Sequence, residues 1–390
     1  MKKLLYCAST ISHLENFHLP HINALSEADF SVFTCAEQEF LFENTAGCFA
    51  LPFEKRFLGF QNLKAVFTAR KVLLRENFDV ISLNTTLAAA VIRAALLTMP
   101  KNRRPKVVYI CHGFLFGEKI SISSLRYSLP EKLLAHLTDT LAVMNDEDER
   151  LAKRYHLCEN LRRINGMGLP EDRYRIPDED ERTAARKSLG ITESDFVFLC
   201  VGEFSNRKNQ QAVIRAFANS LSDMPNARLI LAGEGALLSR CKSLAKELNI
   251  AEKVSFLGQK SDVLPLFFAA DAAVSASKSE GLPFSIMESL CCGLPVLLSD
   301  IKGHRDLKNS GGNILLFDSG EKLSAAMKKI YRSKGRFPCD MSRYMLPAVS
   351  PEILSLYNFE KRTENDRLSR FIAALRRFGA VFVRKRKQKN

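Results

Sequence analysis

Ala272-Ala273-Val274-Ser275, followed three residues later by Ser279-Glu280-Gly281-Leu282-Pro283-Phe284-Ser285-Ile286-Met287-Glu288-Ser289-Leu290, decides how this chain folds. The first four residues are small, apolar or β-branched, the pattern of a short buried strand. Gly281-Leu282-Pro283 punctuates the chain, and a helical pattern starts at Ser285. The order is therefore strand, loop, helix. In an open α/β sheet, ligands bind beyond the carboxyl ends of the strands, which places Glu280 where a ligand would sit. The helix start aims backbone N–H groups at an anion there. Carboxylates accept hydrogen bonds from sugar and ribose hydroxyls, and helix starts suit phosphate. Together they suit a nucleotide sugar.

Two glutamates eight positions apart arise easily by chance in a chain of this length. Alone, Glu280 reads as a solvated loop acid and Glu288 as an exposed helix position, so the surroundings must decide. The chain has 390 residues, too many for one ordinary core, and predicts two to three domains. A net charge of +14 points to an anionic partner: a phosphorylated substrate, a membrane surface or nucleic acid. The ten cysteines are scattered, with no C-x-x-C, and read as buried free thiols of a reducing compartment. The start, Met1-Lys2-Lys3-Leu4-Leu5-Tyr6, has too short an apolar run for a signal peptide and reads as a first strand. No run approaches transmembrane length. These features predict a cytoplasmic protein.

Short apolar strands alternate with helical patterns. Strands are expected near 3–7, 31–35, 80–83, 106–111 and 140–143, with helices near 20–27, 61–76, 88–98, 124–137 and 146–155. A polar stretch around Pro177 and Asp178-Glu179-Asp180-Glu181 reads as a linker. A second series follows, with strands near 196–201, 228–232, 254–257, 271–275, 295–299 and 313–317. Alternating βα units imply parallel sheets covered by helices. The expected architecture is α/β: two Rossmann-like domains facing across a cleft, with a C-terminal basic amphipathic helix. The boundaries are 1–170 for an acceptor-binding domain, 171–182 for the linker, 183–347 for a nucleotide-sugar domain and 348–390 for C-terminal helices with a basic tail. Residues 361–390 carry +9 of the charge, and Leu368, Phe371, Ile372, Leu375, Phe378 and Phe382 recur there at helical spacing. Such a helix can lie in an anionic membrane interface or pack on the domain with a solvated arginine face.

Gly202, at the end of a strand, permits a tight turn, and Arg207 and Lys208 beyond it can reach a diphosphate at the sheet edge. Gly233-Glu234-Gly235 is a lone G-x-G without the full dinucleotide fingerprint. In the first half, His112-Gly113 ends a strand; a lone histidine is more often structural, but this one could donate to a sugar hydroxyl. His13, Asn16 and His18 lie in a polar segment after the first strand, expected as a loop that could bind an acceptor. Asp146-Glu147-Asp148 and Asp178-Glu179-Asp180 both spell D-x-D. The first opens a helix behind Asn145, where acids favour the dipole, and the second lies in the linker, so neither is expected to hold metal.

Taken in order, Gly202…Lys208-Asn209, Gly233-Glu-Gly235, Phe256-Leu-Gly258 and Glu280-Gly-x-Pro…Glu288-Ser…Gly293-Leu-Pro-Val resemble the retaining glycosyltransferases of family 4 (group 1), which have the GT-B fold. The likeness spans about residues 1–358. In the first half, His13…Phe17-His18-Leu-Pro20, His112-Gly-Phe114, Glu131…Thr138-Asp139 and Asn145-Asp-Glu-Asp148 are similar to the bacterial branch that assembles capsule, exopolysaccharide, O-antigen and other lipopolysaccharide units. The resemblance implies that His112 contacts the donor sugar and that Lys208, helped by Arg207, stabilises the leaving diphosphate. It implies that Glu280 holds the transferred sugar beside the backbone of Gly281, Leu282, Pro283 and Phe284, and that Glu288 grips the ribose. It implies no cofactor and no metal, a UDP-sugar donor, and a lipid-linked or oligosaccharide acceptor at the inner face of the plasma membrane. Two features depart from the family pattern: Glu203 stands where many relatives carry arginine, and His13–Pro20 replaces a glycine-rich loop. A nucleotide-sugar epimerase of the same fold is the near rival. A nucleic-acid-binding protein is disfavoured, because the excess charge sits in one tail without aromatic-basic interleaving.

Overall fold

A computed structural model of the protein describes residues 1–54, 59–118, 122–333 and 335–358. They form two compact units: Met1–Met167 with the described residues from Ser350 onward, and Gly168–Val349. Each contains one parallel sheet, as the alternating pattern predicts. The expected basic amphipathic helix over 361–390 lies outside the described residues.

The strands of the first unit are β1 (Lys2–Cys7), β2 (Phe30–Ala36), β3 (Gly47–Ala50), β4 (Val80–Leu83), β5 (Lys106–Cys111), β6 (Thr140–Val143) and β7 (Asn160–Arg163). The helices α1 (Ile11–Phe17), α2 (Leu19–Glu27), α3 (Phe60–Glu76), α4 (Thr86–Leu97), α5 (Ile122–Leu134) and α6 (Asp146–Tyr155) connect them. The sheet order is β3-β2-β1-β4-β5-β6-β7, so the winding reverses between β1 and β4. Its central strands are buried: Leu4 to Cys7 of β1 and Val107 to Cys111 of β5 are at most 1% exposed. One buried ion pair ties α4 to α5. Arg93 Nη2 lies 2.7 Å from Glu131 Oε2, and Tyr109 Oη donates to Glu131 Oε1 at 3.1 Å. Asp139 accepts from Val107 N at 2.8 Å. Glu131 and Asp139, part of the resemblance, are thus structural.

In the second unit α7 (Glu179–Ser188) precedes β8 (Phe196–Val201), α8 (Gln210–Ala218), β9 (Ala227–Ala232), α9 (Leu238–Glu247) and β10 (Val254–Phe256). Then come α10 (Leu264–Ala269), β11 (Ala272–Ser275), α11 (Phe284–Cys291), β12 (Val296–Ser299), α12 (His304–Leu307), β13 (Ile314–Phe317) and α13 (Gly320–Arg332). The order β10-β9-β8-β11-β12-β13 reverses between β8 and β11. Phe198, Phe217, Leu229, Val274, Leu297 and Met327 belong to the core of this sheet and its helices.

Three expectations differ from the structure. The His13–Pro20 segment is not a loop: it folds as α1 and the start of α2, because Ile11 and Leu14 bury one face and Pro20 occupies the first turn, where no N–H is needed. Asp178-Glu179-Asp180-Glu181, expected inside a linker, starts α7. Asp178 Oδ1 accepts from Glu181 N at 2.8 Å while Glu181 accepts from Asp178 N at 3.0 Å, a reciprocal cap. Residues 350–358, expected in a separate C-terminal segment, belong to the first unit, where the buried Tyr357 hydroxyl lies 2.7 Å from Ser82 Oγ.

Candidate functional site

The two loops that leave β8 and β11 are laced together at the reversal point of the second sheet, the place where open α/β sheets bind ligands. Lys278 N donates to Arg207 O at 2.8 Å, and Asn209 Nδ2 donates to Ala276 O at 3.3 Å. Their side chains converge on Glu280, which is 8% exposed. Arg207 Nη1 donates to Oε2 at 2.8 Å and also to Ser279 O at 3.2 Å. Lys208 Nζ lies 2.8 Å from Oε1, which otherwise accepts no well-aligned hydrogen bond. Burial alone would raise the Glu280 pKa, but Lys208 and then Arg207 outweigh it and hold the carboxyl below its usual range. The group is a carboxylate at neutral pH, wedged between two cations.

Glycines make this convergence possible. Gly202 has φ +153°, and the stem of Lys208 passes so close that a Cβ on Gly202 would lie 3.3 Å from Lys208 Cε. Gly233, at φ +138°, lies against the same loop; a Cβ there would sit 2.2 Å from Gly202 O. The lone G-x-G therefore serves backbone packing rather than a cofactor. Glu203, which replaces an expected arginine, offers its backbone carbonyl to Gln210 Nε2 at 2.9 Å.

Glu288 belongs to a different environment. It sits on α11, whose N-cap residue Pro283 makes no side-chain cap hydrogen bond. Burial raises its pKa, opposed by a hydrogen bond from Tyr174 and the charge of Arg173. Both partners come from the segment read as linker, and sequence reasoning missed them. It also missed Gly303 and His304. A Cβ on Gly303 would lie 2.5 Å from Gly281 O, so this glycine backs the Glu280 loop. His304 is fully buried, with Nδ1 2.8 Å from Ser299 O and Nε2 without a hydrogen-bond partner among the described residues. Burial pushes its pKa down to about 4. No sequence signal marks either residue beyond a glycine-histidine pair after a strand.

The first unit brings together His13, His18 and His112 near the carboxyl ends of β1, β4 and β5. His13 and His112 have ring centroids 4.6 Å apart, and His18 lies 5.1 and 4.9 Å from them. His13 Nε2 faces the Asn84 carbonyl at 3.1 Å and must donate, which leaves Nδ1 as an acceptor. His18 Nδ1 pairs with the Tyr6 hydroxyl at 2.8 Å, while the Nε2 atoms of His18 and His112 are buried without a hydrogen-bond partner among the described residues. Burial pushes His13 down to about 4 and drives His18 and His112 well below the ordinary histidine value, so the cluster is neutral at pH 7. One nitrogen from each ring lies within 4.8 Å of the other two, a donor set of the kind that suits a transition metal or a ring of hydroxyls. Asn16 is exposed on α1, outside this set. Asp148 of the first D-x-D is buried in a helix cap: its N–H donates to Asn145 Oδ1 at 2.8 Å, and its carboxylate accepts from Phe114 N at 3.2 Å.

Residues 181–345 match the family model described as Glycosyl transferases group 1. The chain is 29% identical over 329 residues to "Putative glycosyltransferase EpsD" of Bacillus subtilis (strain 168), covering 84% of this chain and 86% of that protein. It is 25% identical over 264 residues, 66% of this chain and 67% of the relative, to the UDP-Gal:alpha-D-GlcNAc-diphosphoundecaprenol alpha-1,3-galactosyltransferase of Escherichia coli. Among solved structures, Anabaena HepE in complex with UDP shares the fold with a TM-score of 0.67 at 19% identity, over 91% of this chain and 99% of that one.

Proposed function

We propose that the chain is a group 1 glycosyltransferase of the bacterial polysaccharide type, with the GT-B fold, and that it moves a sugar from a UDP-sugar to a lipid-linked or saccharide acceptor with retention of configuration. The observation that carries this reading is the buried Glu280 carboxylate held between Lys208 and Arg207 at the reversal point of the second sheet. The names of two relatives support it: HepE has been crystallised with UDP and with UDP-glucose, and the Escherichia coli relative transfers galactose from UDP to a diphosphoundecaprenol-linked sugar.

The diphosphate takes Lys208 and Arg207, which supply the positive field that a departing phosphate needs without a metal there. Glu280, which these cations neutralise before donor arrives, then accepts hydrogen bonds from the hydroxyls of the sugar. Glu288 and the start of α11 hold the ribose; taken by itself, the first unit offers the neutral imidazoles of His112, His13 and His18 to sugar hydroxyls. The bond from the anomeric carbon to the phosphate oxygen breaks as the bond to the acceptor oxygen forms on the same face. The acceptor proton passes to the leaving phosphate. Membrane attachment on the side of the lipid-linked acceptor completes the reading.

A panel of UDP- and GDP-sugars in a thermal-shift assay tests the donor, and NMR of the glycosidic product tests the stereochemistry. Absence of any UDP-dependent stabilisation, or an inverted product, overturns the proposal. Free UDP that appears only when an acceptor is added separates transfer from epimerisation.

A further inference from the structure

Helix α3 turns Asn62, Ala65, Ala69 and Leu73 into the first unit. The opposite face carries Phe60, Leu63 and Phe67, which are 79%, 53% and 59% exposed. Their spacing of three and four residues lines them up along one stripe. Single exposed apolar residues are ordinary, but an aligned stripe of three, two of them phenylalanine, marks a contact surface. Its borders are basic: Lys64, Lys71 and Arg75 lie on one side and Arg70 on the other. No acid occurs in α3 before Glu76, which pairs with Lys3 and Arg75. Lys64 and Lys71 form no ion pair among the described residues.

We propose that this stripe docks on an anionic lipid bilayer, with Phe60, Leu63 and Phe67 in the interface and Lys64 and Lys71 against phosphate headgroups. Charge complementarity selects this occupant. A second copy would set Lys64 and Lys71 against themselves, and the chain's own 361–390 tail brings a further +9 to an already basic border. A bilayer with anionic headgroups supplies both what the stripe and what its borders need. The inference names the surface for the membrane attachment read above, but it stands on α3 alone. Its test contains neither donor nor acceptor, so its failure leaves the transferase reading intact.

The chain contains no tryptophan, so Phe67→Trp places a single reporter in the stripe. With vesicles of phosphatidylcholine containing one part in about three of phosphatidylglycerol, its emission shifts to the blue and is quenched by brominated acyl chains; added salt weakens both effects. Pure phosphatidylcholine gives little change. The triple variant Phe60→Ser, Leu63→Ser, Phe67→Ser retains its melting temperature and loses vesicle co-sedimentation by roughly tenfold or more. Lys64→Glu with Lys71→Glu weakens binding to the anionic vesicles only. The proposal is overturned if the full chain binds no vesicles, or if the tryptophan emission stays unmoved on vesicles that sediment the protein. It is equally overturned if the triple variant binds like wild type, or if the blue shift comes from protein concentration without lipid.

Discussion

Replacing Glu280 with glutamine removes one negative charge and little volume from the point where Lys208 and Arg207 meet. Each cation lies 2.8 Å from a carboxylate oxygen, and at an effective dielectric constant near 20 each contact has a gross attraction of about 6 kcal/mol. Desolvation offsets most of it, and breaking a fully buried pair by removing one partner costs roughly 3–5 kcal/mol net. Here the Lys208 and Arg207 side chains are 18% and 43% exposed and can rehydrate, which brings the loss to about 1–2 kcal/mol. For a unit of this size that is a fall of roughly 3–6 °C in melting temperature. The pH dependence gives a second handle. The folded pKa of Glu280 is lowered, so its stabilisation is complete above the ordinary glutamate value and is lost as pH falls through the lowered one. The gap between wild type and Glu280→Gln should be full at pH 7 and should narrow from about pH 4.5 downward. Melts across that range, with transfer assayed at pH 7, measure both. Turnover should fall about a hundredfold, because a neutral amide holds sugar hydroxyls less well than a carboxylate. A variant that melts with wild type at pH 7, or a gap that stays constant into acid, refutes the placement of the charge.

Lys208→Ala should lower kcat by roughly a hundredfold with a smaller change in KM, since its charge matters most as the phosphate departs; steady-state kinetics with a saturating acceptor decide it. Glu288 has a raised pKa, so UDP affinity measured by calorimetry should decline on acidification at a pH above the ordinary carboxylate value. Tyr174→Phe should move that decline to still higher pH by removing the hydrogen bond that favours the carboxylate; an unchanged acid limb would falsify the pairing. His13 ionises near pH 4, and His18 and His112 are also depressed, so imidazole resonances of the cluster should not titrate between pH 6 and 7. Arg93→Met leaves the buried Glu131 charge without its cation and should cost about 3–5 kcal/mol in urea unfolding, much of it recovered when Glu131→Gln is added.

The strands that centre each sheet were legible because they are continuous apolar runs: Phe196–Val201 and Lys106–Cys111 coincide with the elements expected. The edge strands β3 and β7 escaped notice. Their residues are only half-buried, and Asn160-Leu161-Arg162-Arg163 has no strand pattern of its own; neighbouring strands, not propensity, recruit them. Helix α1 escaped for a similar reason, since its seven residues mix histidine, asparagine and serine and only Ile11 and Leu14 are buried. Within the site, Glu280, Lys208 and Arg207 could be picked out because strand ends announce them. Tyr174, Gly303 and His304 could not. Their relevance arises when the chain folds back on Glu288 or on the Gly281 backbone, and no local spacing encodes that return.

The two reversal points divide the chemistry between charge and neutrality. At the second sheet, one buried carboxylate stands among two cations, and a diphosphate can take over those cations while the carboxylate turns to sugar hydroxyls. At the first sheet, three histidines are held neutral by burial and by one another, so each ring keeps one donor and one acceptor. A sugar hydroxyl, which must both give and receive hydrogen bonds, fits such rings better than an anion would, because charging one imidazole beside two others is what the cluster resists. On the proposed reading, the polarity of the two sites favours phosphate at the second unit and hydroxyls at the first. If UDP alone shifted the His13, His18 and His112 resonances while Lys208→Ala left UDP affinity unchanged, that division would be reversed.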